Sequence, residues 1–192
     1  MLRKLAPAQR QLSLGLIRRP DMARGKEDNV ARKFVLFAAL FFVALVTGTA
    51  FAIWFDYNPS GMSPAFYTEK MQHAIRVFTI PLPIVVMLGL FFTIVSTFLA
   101  RRDRPDFYLL IVASVCIIAA ALITAFGNIP INNQIMTWSI NSPPSNWGEL
   151  AQKWWWFQTV RTISAIVGLS FLILALLARF AFTMKQAATP NR

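Results

Sequence analysis

Glu69, His73 and Arg76 recur at steps of four and three in FYTEKMQHAIRV. In a helix that spacing puts them on one stripe. Glu69 can then accept a hydrogen bond from one ring nitrogen of His73 and leave the other free to move a proton near neutral pH. WWWFQTVRT repeats the spacing with Trp154, Gln158 and Arg161: a ring, an amide and a cation that could steady a developing oxyanion. A third group lies in GNIPINNQIMTW, residues 127–138, which offers Asn128, Asn132, Asn133 and Trp138. Together these types suit withdrawal of a proton from a small bound molecule. His73 would be the base, Arg161, Gln158 and the asparagines the oxyanion donors, and Trp138 or Trp154 the stacking platform. Asp56 at the end of the first apolar run is the expected partner of Arg161, and Arg76 completes the polar rim. Each group also has a plain structural use, as an interfacial salt-bridge stripe, a buried ion pair and a loop staple respectively.

No nucleotide, flavin or haem motif is visible, so no cofactor is expected and electrons would come from the substrate. His73 is the one histidine of the chain and lacks a second soft ligand nearby in sequence, so a multi-ligand zinc or copper site is not expected. The single Cys116 falls mid-helix and reads as a small packing residue.

Such groups need rigid elements to hold them, and the composition says which. The 192 residues are 56% hydrophobic and 14% charged, against about a quarter charged in a typical soluble domain. Four apolar runs, Phe34–Phe55, Val77–Ala100, Phe107–Phe126 and Ile163–Phe182, are each about 20 residues or longer, enough for a helix to cross a ~30 Å hydrocarbon core. The net charge of +11 is unevenly placed. Fifteen of the 19 Lys and Arg residues lie before the first run, in RRDRPD between the second and third, or on the tail side at and beyond the end of the fourth (Arg179, Lys185, Arg192); only Lys70, Arg76, Lys153 and Arg161 lie on the other side. Charge bias of this kind marks the cytoplasmic side and replaces nucleic acid as the reason for the excess; the expected partners are membrane lipid and a small aromatic substrate.

The expected fold is therefore all-α: a membrane four-helix bundle, up-down-up-down, with both termini cytoplasmic and with helices 2 and 4 extending beyond the membrane on the outer side. Residues 1–33 form a basic cytoplasmic arm or an overlong start, since Met22 opens a more ordinary lead, MARGKEDNVARK. Residues 34–182 form the transmembrane domain and 183–192 a tail. The location expected is the inner (plasma) membrane of a bacterium, as a multi-pass protein. Pro81 and Pro83 should bend the second span, because neither can donate a backbone hydrogen bond. A long outer loop is expected from Gly127 to Gly148, and a helix from Glu149 running unbroken through the fourth span.

The order of these signals resembles the anthrone-oxygenase-like family, a large set of four-span membrane proteins mostly of unknown function. That family's pattern is N-x-P-x-N-x-x-I-x-x-W after span three and W-x-x-x-H-x-x-R-T opening span four. Here it reads Asn128, Pro130, Asn132, Ile135 and Trp138, then Trp154, Arg161 and Thr162, and the likeness covers roughly residues 34–182. The departure is Gln158, where many relatives carry His; glutamine cannot shuttle a proton near neutral pH. The resemblance implies oxidation of polycyclic anthrones to anthraquinones by dioxygen. The alternative is a non-catalytic membrane scaffold or small-ligand binder whose outer polar groups only hold loops together.

Overall fold

The computed structural model of the chain describes residues 7–101 and 104–188. Helix α1 covers Pro7–Asp56, α2 Pro64–Phe78, α3 Pro81–Ala100 and α4 Arg104–Ile123. A π-helical turn, Thr124–Asn128, continues α4 into the short α5, Ile129–Ile135, and α6 runs from Trp147 to Ala188. Four stretches are long and apolar enough to cross a membrane: Val30–Asp56, Pro81–Ala100, Asp106–Ile135 and Trp147–Phe182. Their outward side chains, such as Phe37, Met87, Phe126 and Phe180, remain exposed, as hydrocarbon-facing residues of a membrane bundle must be.

Two expectations need correction. The second span does not bend as one helix but breaks. Thr79 closes α2 with its amide on the Ile75 carbonyl at 3.0 Å, and α3 starts afresh at Pro81, where a missing N–H costs nothing. What was expected to be the outer part of helix 2 is thus the separate helix α2. Ser63 starts it, accepting the Phe66 amide at 3.3 Å, with Pro64 in its first turn. The third span, in turn, does not stop at Phe126. It passes through the π-helical turn and on to Ile135, because Pro130 falls in the first turn of α5, so the loop leading to α6 begins only after Ile135.

In the bundle, α1 packs on α3 and α6, and α4 packs on the same two helices. Small residues allow close approach. A Cβ on Gly89 would lie 3.2 Å from Val43 of α1, and one on Gly168 would lie 3.1 Å from Ile117 of α4. One buried cluster, including Leu36, Val43, Leu110, Ala113, Ile117 and Leu172, fills the half nearer the α3–α4 link. There Asp106 of α4 meets Arg179 of α6 at 3.7 Å. A second cluster of Ile53, Tyr67, Met71, Ile131, Ile135, Ala151 and Trp154 sits at the opposite end, under α2 and α5. The site expected from the sequence lies around this second cluster.

Candidate functional site

The amides of the Asn128–Asn132 stretch bond to α6 rather than to their own turn. Asn128, 1% exposed, donates Nδ2–H to the Trp154 carbonyl at 3.2 Å. Trp154 in turn donates its indole N–H to Asn132 Oδ1 at 2.7 Å. One helical turn further along α6, the fully buried Gln158 donates Nε2–H to the Ala50 carbonyl of α1 at 2.8 Å. Thr162 lies beside it, 3.4 Å from the same amide nitrogen, and its hydroxyl is 2.7 Å from the Gln158 carbonyl. Arg161 reaches the π-helical turn, where Nη1–H donates to Thr124 Oγ1 at 3.2 Å; that hydroxyl donates onward to the Ala120 carbonyl at 2.8 Å.

These bonds leave a residue of unmet capacity. Asn128 Oδ1, Gln158 Oε1 and Arg161 Nε are buried without a hydrogen-bond partner. They occupy neighbouring turns: Thr124 and Asn128 are four residues apart on one wall, and Trp154, Gln158 and Arg161 are four and three apart on the other. An unpaired buried polar atom costs about 1–3 kcal/mol, more when charged. The π-helical turn that supplies one wall is a widened form of helix common at functional sites. Its Ile129 amide reaches back five residues to the Thr124 carbonyl. Gly127 lets that turn press on α6, since a Cβ there would lie 2.6 Å from Cγ of Phe157.

Other expected members stand apart. Glu69, His73 and Arg76 share one face of α2, as their spacing implied, but it is the exposed face; Tyr67, Thr68, Met71, Gln72 and Ala74 fill the buried one. Among the described residues, no hydrogen bond or ion pair joins Glu69 to His73. Asp56 does not meet Arg161: it pairs with Lys70 at 2.9 Å, and Lys70 also donates to the Asp56 carbonyl. Lys70 is the nearer cation because α2 folds back directly beside the end of α1. Among the described residues no three His, Cys, Asp or Glu side chains converge as an ion site would need.

Gln72 was not singled out by sequence reasoning, yet it fastens the loop after α5 by donating to the Ile135 and Trp138 carbonyls, each at 2.9 Å. Its signal was its place among Thr68 and Met71, on the stripe opposite His73. Thr124 was missed for lack of any signal, since a lone threonine in an apolar run is ordinary.

The tryptophans are mostly internal. Trp54 stacks on Trp155 at 6.3 Å and donates to Thr159 at 2.9 Å, Trp147 lies 5.7 Å from the ring of Tyr67, and Trp154 is 4% exposed. Trp138 is half-buried against the same cluster, while Trp156 is 62% exposed. Burial pushes up the Tyr67 phenol, whose hydroxyl has no partner, and burial followed by the Asp56 charge raises Tyr57. Two open surface hollows, one along Gly148–Trp156 of α6 and one along Pro83–Phe91 of α3, include neither His73 nor Arg161.

A family model described as anthrone oxygenase matches residues 71–171, more than half of the 192 residues. The matched span contains both walls of the Arg161 group and His73, and excludes Asp56 and Glu69. No curated protein and no solved structure matches the chain.

Proposed function

The chain belongs to the anthrone oxygenase family, and from that premise we propose that it is a multi-pass membrane oxygenase acting on an aromatic or quinone-like lipophile. The net reaction would be replacement of an activated ring CH2 by C=O: substrate and one O2 give the ketone and one water, with both electrons pairs drawn from the two C–H bonds. Substrate would reach the bundle from the lipid or from the outer interface. Arg161 would steady the oxyanion of the deprotonated ring, while Trp138 closes the outer rim; Asn128 and Gln158, whose N–H groups bond to the Trp154 and Ala50 carbonyls, would hold the surrounding helices in place. The observation that supports this reading is that Nε of Arg161 and the side-chain oxygens of Asn128 and Gln158, within one stretch of α6 and the π-helical turn, are each buried without a hydrogen-bond partner. His73, with Glu69 and Arg76 beside it on the exposed face of α2, would stand outside this centre.

The bundle would be up-down-up-down with both termini in the cytoplasm, in the inner membrane of a bacterium. Supporting this, Thr47, Ala50 and Trp54 of α1 meet Ala165, Gln158 and Trp155 of α6 in falling order, and Thr97 of α3 meets Ser114 of α4 across the basic turn. The charge asymmetry supports the orientation.

One observation favours a second reading, a non-catalytic scaffold or ligand binder: Trp154 is fully engaged by Asn128 and Asn132, so the asparagines tie helices together. Oxygen uptake by the purified protein in lipid, against a panel of anthrones and hydroquinones, separates the two. Uptake of one O2 per ketone formed supports the oxygenase; no uptake above protein-free lipid with any of the panel supports the scaffold.

A further inference from the structure

Glu149, Gln152, Lys153 and Trp156 are exposed and fall on one stripe of α6. With Gly148 they line an open surface hollow, separate from the Arg161 group. Among the described residues, no hydrogen bond or ion pair engages these four side chains. Glu149 and Lys153 stand four residues apart, a spacing that favours pairing on a helix, yet each charge is left for an outside partner.

The depth of this stripe follows from its neighbours. Trp54 of α1 stacks on Trp155 with ring centroids 6.3 Å apart. The apolar run of α1 ends one residue later at the exposed Phe55, before Asp56. The edge of the hydrocarbon therefore passes close to Trp155 and Trp156, where an amphipathic indole is at home. On the bilayer side of that edge, the same stripe continues with exposed Ile163 and Val167, side chains suited to acyl chains. On the other side, Lys153 is three residues and Glu149 seven residues from Trp156, about 4.5 and 10.5 Å at 1.5 Å per residue. The headgroup layer is about 5–8 Å thick on each face of a bilayer. Lys153 thus lies within it and Glu149 at its outer margin.

Moving away from the hydrocarbon, the stripe offers an indole N–H, then an amide and an ammonium, then a carboxylate. A phospholipid with a primary amine presents the complement in the same order: ester carbonyls, phosphate, ammonium. A glycerol headgroup has no cation for Glu149, and its negative charge is repelled there. A choline headgroup has the cation but no N–H to donate, so it forgoes the charge-assisted hydrogen bond. We infer that this hollow binds phosphatidylethanolamine, with the phosphate on Lys153, the ammonium on Glu149 and Trp156 against the glycerol esters. The inference goes beyond the reaction proposed above and does not rest on it.

The test uses the full chain in phosphatidylcholine vesicles. Into these is mixed phosphatidylethanolamine, phosphatidylglycerol or phosphatidylcholine carrying brominated acyl chains. Bromine quenches nearby tryptophan, and subtracting the signal of the same chain with Trp156→Phe isolates Trp156. At about 0.15 M salt, which screens distant charge, half-quenching is expected at about three- to fivefold less of the ethanolamine lipid than of either other. That is the size two exposed charge contacts allow. Glu149→Gln is expected to remove the advantage. Glu149→Lys combined with Lys153→Glu, which keeps both charges but reverses their order, is expected to remove it as well. Both positions are exposed, so neither change disturbs the packing. Equal quenching by all three lipids in the unaltered chain, stronger quenching by the glycerol lipid, or an ethanolamine advantage that survives either variant overturns the inference.

Discussion

Side chains at the end of the bundle under α2 and α5 divide into those that hold it together and those left with capacity to spare. Asn132 belongs to the first kind. Asn132→Ala leaves the Trp154 indole N–H buried without its acceptor, and should lower stability by about 1–3 kcal/mol, seen as a lower unfolding midpoint in detergent. Tyr67 belongs to the second. Its buried hydroxyl has no partner, so Tyr67→Phe should leave stability unchanged or raise it by up to about 1 kcal/mol. The same substitution has a pH signature. Burial raises the Tyr67 phenol above its usual value of 10.0, so the unfolded chain ionises first. Stability from this group is complete below about pH 10 and falls by about 1.4 kcal/mol per pH unit above it. Midpoints measured across that range should decline less in Tyr67→Phe than in the unaltered chain. Which residues matter was partly legible: the types and spacing of Asn128, Asn132, Trp154, Gln158 and Arg161 marked them out. Their partners were not, since Trp154 binding Asn132 depends on two helices meeting at one depth. Asp56 looked like the partner of Arg161 because one ends the first apolar run and the other stands at the start of the fourth, but α2 brings Lys70 closer.

At the level of elements, prolines and glycines decide where helices stop, break or touch. The break before Pro81 was readable as a disturbance because proline cannot donate; that it would split the helix, rather than bend it, depended on α2 packing separately through Tyr67, Met71 and Gln72. The π-helical turn carried no such signal. Polar residues after twenty apolar ones read as an exit from the membrane, whereas the chain continues as helix to Ile135. Gly127 is the test of that turn. Gly127→Ala would drive a methyl group to 2.6 Å from the Phe157 ring, and overpacking of this kind typically costs about 1–3 kcal/mol. Phe157→Leu in the same chain should return part of the loss. A double-mutant cycle on the unfolding midpoint would register that as coupling above about 0.5 kcal/mol; additive losses would mean that the two elements do not press on each other.

For the whole molecule, fold class and span number followed from apolar run length and charge bias, which act along the entire chain and need no knowledge of contacts. The proposed orientation makes a direct prediction. With Cys116 replaced by Ser, a cysteine at Ser60 should react with a membrane-impermeant maleimide in intact cells, and one at Arg101 only after permeabilisation; the reverse pattern would invert the bundle. The grouping of the candidate site residues was the least legible feature, because it depends on which face of each helix turns inward. His73 shares a stripe with Glu69 and Arg76, but the opposite stripe of α2 is the more apolar and takes the inner position. The central claim is that any reaction centre lies at Arg161 and not at His73. The most direct measurement is anthrone-dependent oxygen uptake by Arg161→Gln and His73→Ala, side by side in the same lipid. The account predicts a loss of about 100-fold or more for Arg161→Gln, the scale of removing an oxyanion donor, with His73→Ala close to the unaltered rate. Full activity in Arg161→Gln with loss in His73→Ala would contradict it.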